Sequence, residues 1–413
     1  MRILIITPYY SPDLGPSAPL FKMLSTCLVA RGHQMTVIVA VPHYPSGQIP
    51  KEYKKWKIQR SYEDGVEVIR VPLPSLDRAK MTNRMIQFIC YQIGATWEGL
   101  NRNYDAVIAT TTALSVWLPY ACLAVLRRIP SIYSVHDLYP DIGVSLGIFK
   151  NKVVIKAVAS LEGYCLRHAQ QVRILSDSYR PGLHQLGVSD SKMVLIYDWV
   201  DTDLIHPIPQ ENPFSKGNGF SNHFIVLYAG NIGLSQGLEI ILVAAEMLAD
   251  QPDIKFIFVG DGSGKESLQS QANLRHLHNV KFIPFQPREI LCEVLASADI
   301  SLVILRRGVG SNSLPSKTFS IMASGRPILV SVDEDSETWK LVKQADAGVW
   351  VPPEDPLKLV QAILALKQDK SLRDRLGHNG RIWVEQHHSP QNAAEQFEKL
   401  LQTAIQIHTS SSL

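Results

Sequence analysis

Short apolar runs alternate with stretches of helical periodicity along almost the whole chain, a pattern that parallel βαβ units produce. In the first half these runs predict strands over residues 2–7, 35–40, 66–71, 106–110, 131–135, 172–174 and 194–196. Helices are predicted between them over 18–31, 82–100, 115–127 and 153–168. Together they make one open parallel sheet. The alternation stops over residues 206–223, where Pro207, Pro209, Pro213, Gly217 and Gly219 lie among Ser and Asn residues, a composition that predicts a linker. It resumes with strands over 224–229, 255–259, 280–283, 300–305, 327–331 and 349–351, a second open parallel sheet. A last periodic stretch over 390–407 predicts a closing helix ahead of a frayed, Ser-rich tail.

The expected fold class is therefore α/β, with two doubly wound, Rossmann-like domains facing across a cleft. The first covers residues 1–206, with the helix 390–408 packing back onto it; a linker covers 207–223 and the second domain 224–389. Open parallel sheets bind ligands just outside the carboxyl ends of their strands. The loops that follow strands are therefore where chemistry is expected.

Composition narrows the partners. With 413 residues the chain is long enough for two cores, and 46% hydrophobic with 19% charged residues excludes a disordered or collagenous chain. The 41 Lys+Arg and 38 Asp+Glu leave a net charge of +3, too weak for a nucleic-acid-binding face. Cys27, Cys90, Cys122, Cys165 and Cys292 are far apart, without a Cys-x-x-Cys, which fits a reducing cytoplasm better than a disulfide framework or zinc ribbon. The opening Met1-Arg2-Ile3-Leu4-Ile5-Ile6-Thr7-Pro8 is too short for a signal-peptide core, and the longest apolar stretch, 116–126, falls well short of the ~20 residues of a bilayer span.

No strand is followed by Gly-x-Gly-x-x-Gly or by a phosphate-binding Gly-Lys loop, which argues against a dehydrogenase or a P-loop enzyme. The first strand of the second half runs instead into Gly230-Asn231-Ile232-Gly233-Leu234-Ser235-Gln236-Gly237. Such a loop suits a phosphate approaching backbone amides, and equally a plain strand-to-helix turn. Gly260-Asp261-Gly262-Ser263-Gly264 has the same two readings. The sharpest feature is Arg306-Arg307-Gly308-Val309-Gly310-Ser311-Asn312-Ser313-Leu314-Pro315-Ser316-Lys317 before a short helix. Ser316 is placed to cap that helix, and a cation in a first turn is locally unfavourable unless an anion answers it. Lys317 with the helix amides fits a diphosphate; a solvated lysine is the plain alternative.

In the first half, Val135-His136-Asp137-Leu138-Tyr139-Pro140-Asp141 follows a strand, where His136 and Asp137 suit acid–base work or the orientation of a sugar hydroxyl. An Asx turn is the plain reading. The loop Pro8-Tyr9-Tyr10-Ser11-Pro12-Asp13-Leu14-Gly15-Pro16-Ser17-Ala18 is long for a connector, and Gly15 lets a ligand approach the backbone. Asp201-Thr202-Asp203 and Asp333-Glu334-Asp335 mimic metal-binding pairs but lack further ligands, so no metal or other cofactor is expected. Residues 51–60 carry Lys51, Lys54, Lys55, Lys57 and Arg60 with Tyr53 and Trp56, and a helix with Met81, Met85, Ile86, Ile89, Ile93 and Trp97 follows. These features suit an anionic lipid surface, or else a solvated loop and a core helix.

Taken together, residues 5–18, His136-Asp137-Leu138-Tyr139-Pro140, Val200-Asp201-Thr202-Asp203, Gly230–Gly237, Val259-Gly260-Asp261-Gly262 and Leu314-Pro315-Ser316-Lys317 with Ala323-Ser324-Gly325-Arg326-Pro327 resemble glycosyltransferase family 4, of the GT-B fold. The resemblance runs over nearly the whole chain and is nearest to the branch that builds colanic acid, O-antigen and other exopolysaccharides. It implies hexosyl or acetamidohexosyl transfer, with retention, from a nucleoside diphosphate-sugar of UDP or GDP type to a polyprenyl-diphosphate-linked oligosaccharide, in the cytoplasm at the inner face of the plasma membrane.

By position, the resemblance makes His136, Asp137 and Lys317 catalytic. It places Gly15, Pro16, Ser17, Asn231, Gln236, Gly260, Asp261 and Phe285 against substrate, together with Arg306, Arg307, Asn312, Leu314, Pro315, Ser316 and Ser320. The family's two glutamates in this region are here Asn312 and Ser320, and its Arg and Lys in the first loop of the second domain are Asn231 and Gln236. Arg306 or Arg307 is a candidate replacement for the missing cation. Fold alone leaves a nucleotide-sugar 2-epimerase as an alternative, and Asn312 and Ser320 leave a non-catalytic sugar-nucleotide-binding scaffold as a second.

Overall fold

The computed structural model describes residues 1–15, 17–139, 151–233, 236–309 and 314–411. Two compact units divide the chain, one formed by Met1–Asp198 with Pro390–Leu413 and the other by Trp199–Ser389.

In the first unit β1 (Arg2–Ile6), β2 (Gln34–Ala40), β3 (Gln59–Glu63), β4 (Val66–Val71), β5 (Ala106–Thr110), β6 (Ser131–Ser134), β7 (Gln171–Ile174) and β8 (Met193–Leu195) form one sheet in the order β3-β4-β2-β1-β5-β6-β7-β8. Ile3, Leu4, Ile5 and Ile6 of β1 are all fully buried, as expected of a strand covered on both faces. Helices α1 (Ala18–Ala30), α2 (Met81–Leu100) and α3 (Ala113–Tyr120) help to cover it. The helix Pro390–Ser411 belongs to this unit and buries Ala394, Phe397 and Leu401. Its Glu398 accepts from Arg31 at the end of α1 and meets His33 at 3.1 Å.

This sheet is mixed, where a wholly parallel one was expected. β3 pairs antiparallel with β4, Gln59 opposite Arg70 and Glu63 opposite Val66. Asp64 (φ 51°) and Gly65 (φ 81°) make the tight turn between them in left-handed conformations, the signature of a two-residue hairpin. The expected helix over 115–127 also divides: α3 ends at Tyr120 and a wider π-turn continues over Ala121–Leu126, next to Pro119, which supplies no backbone donor.

In the second unit β9 (Phe224–Ala229), β10 (Ile254–Val259), β11 (Val280–Ile283), β12 (Ile300–Ile304), β13 (Ile328–Ser331) and β14 (Gly348–Val351) form a parallel sheet in the order β11-β10-β9-β12-β13-β14. Residues 207–223, expected as linker, lie inside this unit and carry a helix, Pro213–Asn218. Asn212 accepts from the Ser215 amide at 3.0 Å, while Ser215 Oγ accepts from the Asn212 amide at 2.9 Å, and Gly219 ends the helix with φ 75°. An N-cap Asn before Pro, with Gly just past the end, is the local signal for such a helix.

Strand order reverses at β1, between β2 and β5, and again at β9, between β10 and β12. At such a switch the following loops splay apart and leave a crevice at the carboxyl ends of the strands. In the first unit that position belongs to the loop around Gly15, and in the second to the loops that begin at Gly230 and Leu305. Among the described residues no helix is long and apolar enough to cross a membrane.

Candidate active site

The glycines after β9 and β10 pack backbone against backbone. A Cβ on Gly260 would lie 2.0 Å from the Gly230 carbonyl oxygen, and one on Gly262 would lie 2.4 Å from the Ile232 carbonyl oxygen. Gly230 and Gly260 adopt φ of +133° and +150°, values that an L side chain rarely takes. The Ile232 amide donates to the Asp261 carbonyl at 2.8 Å and the Gly264 amide to the Ile232 carbonyl at 2.9 Å, tying the two loops together.

Lys317 reaches over this double loop. A Cβ on Gly230 would be 3.0 Å from Lys317 Nζ, so glycine is what lets the ammonium come down onto the backbone. The ammonium also lies 3.7 Å from the centroid of the Tyr228 ring, a cation–π contact. Among the described residues no carboxylate pairs with it. Loss of hydration without a compensating anion pushes its pKa down to about 7. Lys317 is therefore partly buried and held in place, not a solvated lysine.

The neighbouring candidates divide. Ser316 does not cap the helix Lys317–Ala323, because its own backbone is already helical (φ −58°, ψ −24°) and its side chain makes no capping bond. The Thr318 and Phe319 amides donate to the Pro315 and Ser316 carbonyls at 3.0 and 3.2 Å, so those two amides are already used. Arg306 donates to Glu239 at 3.1 Å and crosses Gly237, and Arg307 donates to the Pro353 carbonyl at 3.3 Å. Both side chains have neighbours in the fold and remain exposed. Gln236 Oε1 accepts from the Gly233 amide at 3.0 Å, and Asp261 accepts from the Gly262 amide at 2.8 Å. Asn231 is exposed within the loop after β9, Leu314, Pro315 and Ser320 are half-buried, and Phe285 is exposed past β11. Pro16 and Asn312 lie outside the described residues.

In the first unit a buried carboxylate, Asp13, organises the loop after β1. Its Oδ1 accepts from the Gly15 amide at 2.9 Å and its Oδ2 from the His43 amide at 2.8 Å. Gly15 has no room for a side chain, since a Cβ would sit 2.5 Å from Cγ of Tyr9. Tyr9 stacks on His43 with centroids 5.4 Å apart and accepts from Arg78 at 2.9 Å. Ser17 sits at the start of α1 without a side-chain cap; its carbonyl accepts from the Phe21 amide at 3.1 Å.

His136, after β6, meets Phe21 of α1 edge-on at 5.5 Å. Its amide donates to Thr111 Oγ1 at 2.9 Å, and its Nε2 lies 3.4 Å from Ser134 Oγ. Ser134 Oγ also accepts from Arg173, a fully buried guanidinium paired with Asp198 at 2.8 Å. Burial, and next the nearby Arg173 charge, push the His136 pKa down to about 4, so the ring is neutral at ordinary pH. Such a ring can donate or accept one hydrogen bond but does not carry charge. Asp137 is exposed, and its carboxyl is raised by partial desolvation and by the Asp198 carboxylate.

Residues 210–383 match the family of glycosyl transferases group 1, and residues 18–199 match the glycosyl transferase 4-like domain. The chain belongs to glycosyltransferase family 4. It is similar to WcaI of Escherichia coli, a glycosyl transferase named for colanic acid biosynthesis, at 28% identity over 388 residues, 91% of this chain and 95% of that one. Sucrose-phosphate synthase from Thermosynechococcus elongatus shares the fold with a TM-score of 0.73 at 17% identity, covering 98% of this chain and 100% of that one. HepE of Anabaena in complex with UDP-glucose gives a TM-score of 0.68 at 16% identity over 98% and 100%. The fold of this glycosyltransferase is GT-B.

Several groups of the glycosyltransferase that shape these loops carry no motif. Tyr228 is one more apolar-looking position in a strand, and Asp13 is one residue of a Pro-rich loop. Arg173 sits in the short apolar run of β7, where a charge is rare unless paired, and that oddity is the signal that could have found it. The acidic pairs are occupied structurally: Asp201 accepts from the Leu204 amide at 3.0 Å, and Asp333 accepts from the Gly308 amide at 2.8 Å.

Proposed function

We propose that this glycosyltransferase moves a hexosyl or acetamidohexosyl group, with retention at the anomeric carbon, from a UDP- or GDP-sugar to a polyprenyl-diphosphate-linked oligosaccharide during polysaccharide assembly. The observation that carries the reading is Lys317: a partly dehydrated cation, without a carboxylate among the described residues, on a double glycine loop at a strand-order switch. A diphosphate supplies the charge this position lacks, and close backbone approach at Gly230 and Gly260 leaves it room. The name of WcaI supports the polysaccharide setting, and the UDP-glucose complex of HepE supports the donor class.

In this reading the first unit takes the acceptor, and neutral His136 holds a hydroxyl of the transferred sugar without adding charge. The acceptor hydroxyl attacks on the face the diphosphate leaves and passes its proton to the departing phosphate oxygen. Lys317 stabilises the charge growing on that diphosphate, and the rest of the protein's contribution is alignment. No metal is assigned to the step, and turnover is expected to persist in EDTA.

The test is a thermal-shift screen of UDP-, GDP- and ADP-sugars on the wild type and on Lys317→Ala, followed by NMR of the product's anomeric configuration. A ligand that binds the folded state raises its apparent stability, so one donor class should shift the wild type and not the variant. Equal shifts in both proteins, or an inverted product, would contradict the reading.

A further inference from the structure

The helix α2 is turned inside out. Its inward face carries Gln87, Tyr91 and Glu98 beside Ala95, and each polar group there is satisfied. Gln87 Nε2 donates to the Pro74 carbonyl at 3.0 Å, the Tyr91 hydroxyl lies 2.8 Å from the Thr7 and Ile38 carbonyls, and Glu98 pairs with Arg60. The outward face carries Ile86, Ile89, Ile93, Trp97 and Leu100, which are 45%, 51%, 60%, 69% and 41% exposed. These residues recur every three or four positions, so they form a single stripe about 21 Å long. An ordinary surface helix has the opposite arrangement, and a continuous exposed apolar stripe marks an interaction face.

We propose that this stripe is a docking surface for a bilayer bearing anionic headgroups. The charges around it choose the occupant. Lys80, at the N-terminal end, is exposed, and Arg84 follows one turn on. At the other end Arg127 donates to the Leu100 and Arg102 carbonyls at 2.9 Å each, with exposed Arg128 beside it. The single acid of the helix, Glu98, faces inward, and the Arg60 it holds ties the helix to the segment with exposed Lys54, Lys55 and Lys57. Apolar residues framed by cations, with a tryptophan at one end, match a headgroup boundary. A second copy of the chain fits poorly, since pairing in either direction sets cationic ends against each other. The helix lies on the bilayer and does not span it.

The test is sedimentation of the purified full chain, without sugar donor, with phosphatidylglycerol–phosphatidylcholine vesicles and with phosphatidylcholine vesicles. The wild type should pellet with the anionic vesicles only. Ile89→Asp with Ile93→Asp should lower the bound fraction by about tenfold or more, with an unchanged melting midpoint because both positions are exposed. Lys80→Glu with Arg128→Glu, which leaves the apolar stripe intact, should also weaken binding. Pelleting of the isoleucine variant at the wild-type level, equal pelleting with neutral vesicles, or no pelleting of the wild type would overturn the proposal. So would a dimer in light scattering that the isoleucine variant dissociates. As no donor is present, failure here leaves the sugar-transfer reading untouched.

Discussion

Lys317 Nζ lies 3.7 Å from the centre of the Tyr228 ring, and that contact takes the place of a counter-ion among the described residues. The arrangement disfavours the free protein and favours an anionic ligand. Its folded pKa of about 7 is below the ordinary 10.5, so at and below neutral pH the charged lysine costs the folded state stability, and that cost is relieved as pH rises from 7 towards 10.5. Lys317→Met removes the cost and keeps the stem. The variant should therefore melt one to a few degrees higher at pH 7, as about 1 kcal/mol implies, while turnover falls by about 10²–10³-fold. Calorimetry on the ligand-free variant, beside its rate, checks both directions.

Diphosphate binding should be linked to a proton. A nearby phosphate favours the ammonium form, so Lys317 titrates higher in the complex than its value of about 7 in the free protein. Between those two pKa values the complex holds a proton that the free protein lacks. Affinity for a nucleoside diphosphate-sugar, whose doubly esterified diphosphate does not titrate in this range, should then be greatest below pH 7 and fall above it, by up to about tenfold per pH unit. Titration calorimetry in two buffers of different ionisation enthalpy, at pH 8, reads the uptake directly. Lys317→Met should show neither the uptake nor this limb of the pH dependence.

The double glycine loop makes a prediction with its own control. Gly260→Ala puts a methyl 2.0 Å from the Gly230 carbonyl oxygen at φ +150°, so the two loops must separate. A loss on the order of 2 kcal/mol is expected, together with nucleotide affinity, because Gly230 no longer holds its place under Lys317. Gly217, inside the helix Pro213–Asn218, has nothing within 4 Å of an added Cβ. Gly217→Ala should be neutral or stabilising by about 0.5–1 kcal/mol. Urea unfolding of the two variants separates packing from glycine content as the cause.

The contrast between β4 and β3 shows what was legible in the chain. Val66–Val71 is an apolar run, and it is a strand over those same residues. Gln59–Glu63 has no apolar alternation because it is an edge strand with half-exposed faces, and only Asp64-Gly65 announced it. The basic segment 51–60 stands out by its charge count, yet Arg60 within it serves the fold by holding Glu98. Lys317 was visible because a cation in a helix's first turn contradicts the local dipole. Tyr228, Asp13 and Arg173 were not, since their roles come from partners distant in sequence. Ser316 misled for a related reason: a capping residue must have non-helical backbone, and composition does not report φ and ψ.

Glu162 carries the last prediction. Its fully buried carboxyl accepts from the Ala113 amide, at the start of α3, and from the Tyr133 hydroxyl, both at 2.9 Å. Burial outweighs these bonds and pushes its pKa up to about 7 from the ordinary 4.5. Between those values the folded protein holds a proton that the unfolded chain has released, so this group's contribution falls as pH rises from 4.5 to 7 and stays lost above. His136, pushed down to about 4, acts in the opposite sense, costing stability as pH falls from 6.5 towards 4. The net slope of the wild type therefore mixes the two, and a difference between proteins isolates one. Glu162→Gln keeps the shape and an acceptor for Ala113, with its amide turned to donate to the Tyr133 oxygen, and it does not ionise. Relative to wild type it should gain on the order of 2 kcal/mol at pH 8 and almost nothing near pH 4.5. Urea melts of both proteins at the two pH values decide it: a difference that does not change with pH would mean that Glu162 is not titrating inside the fold.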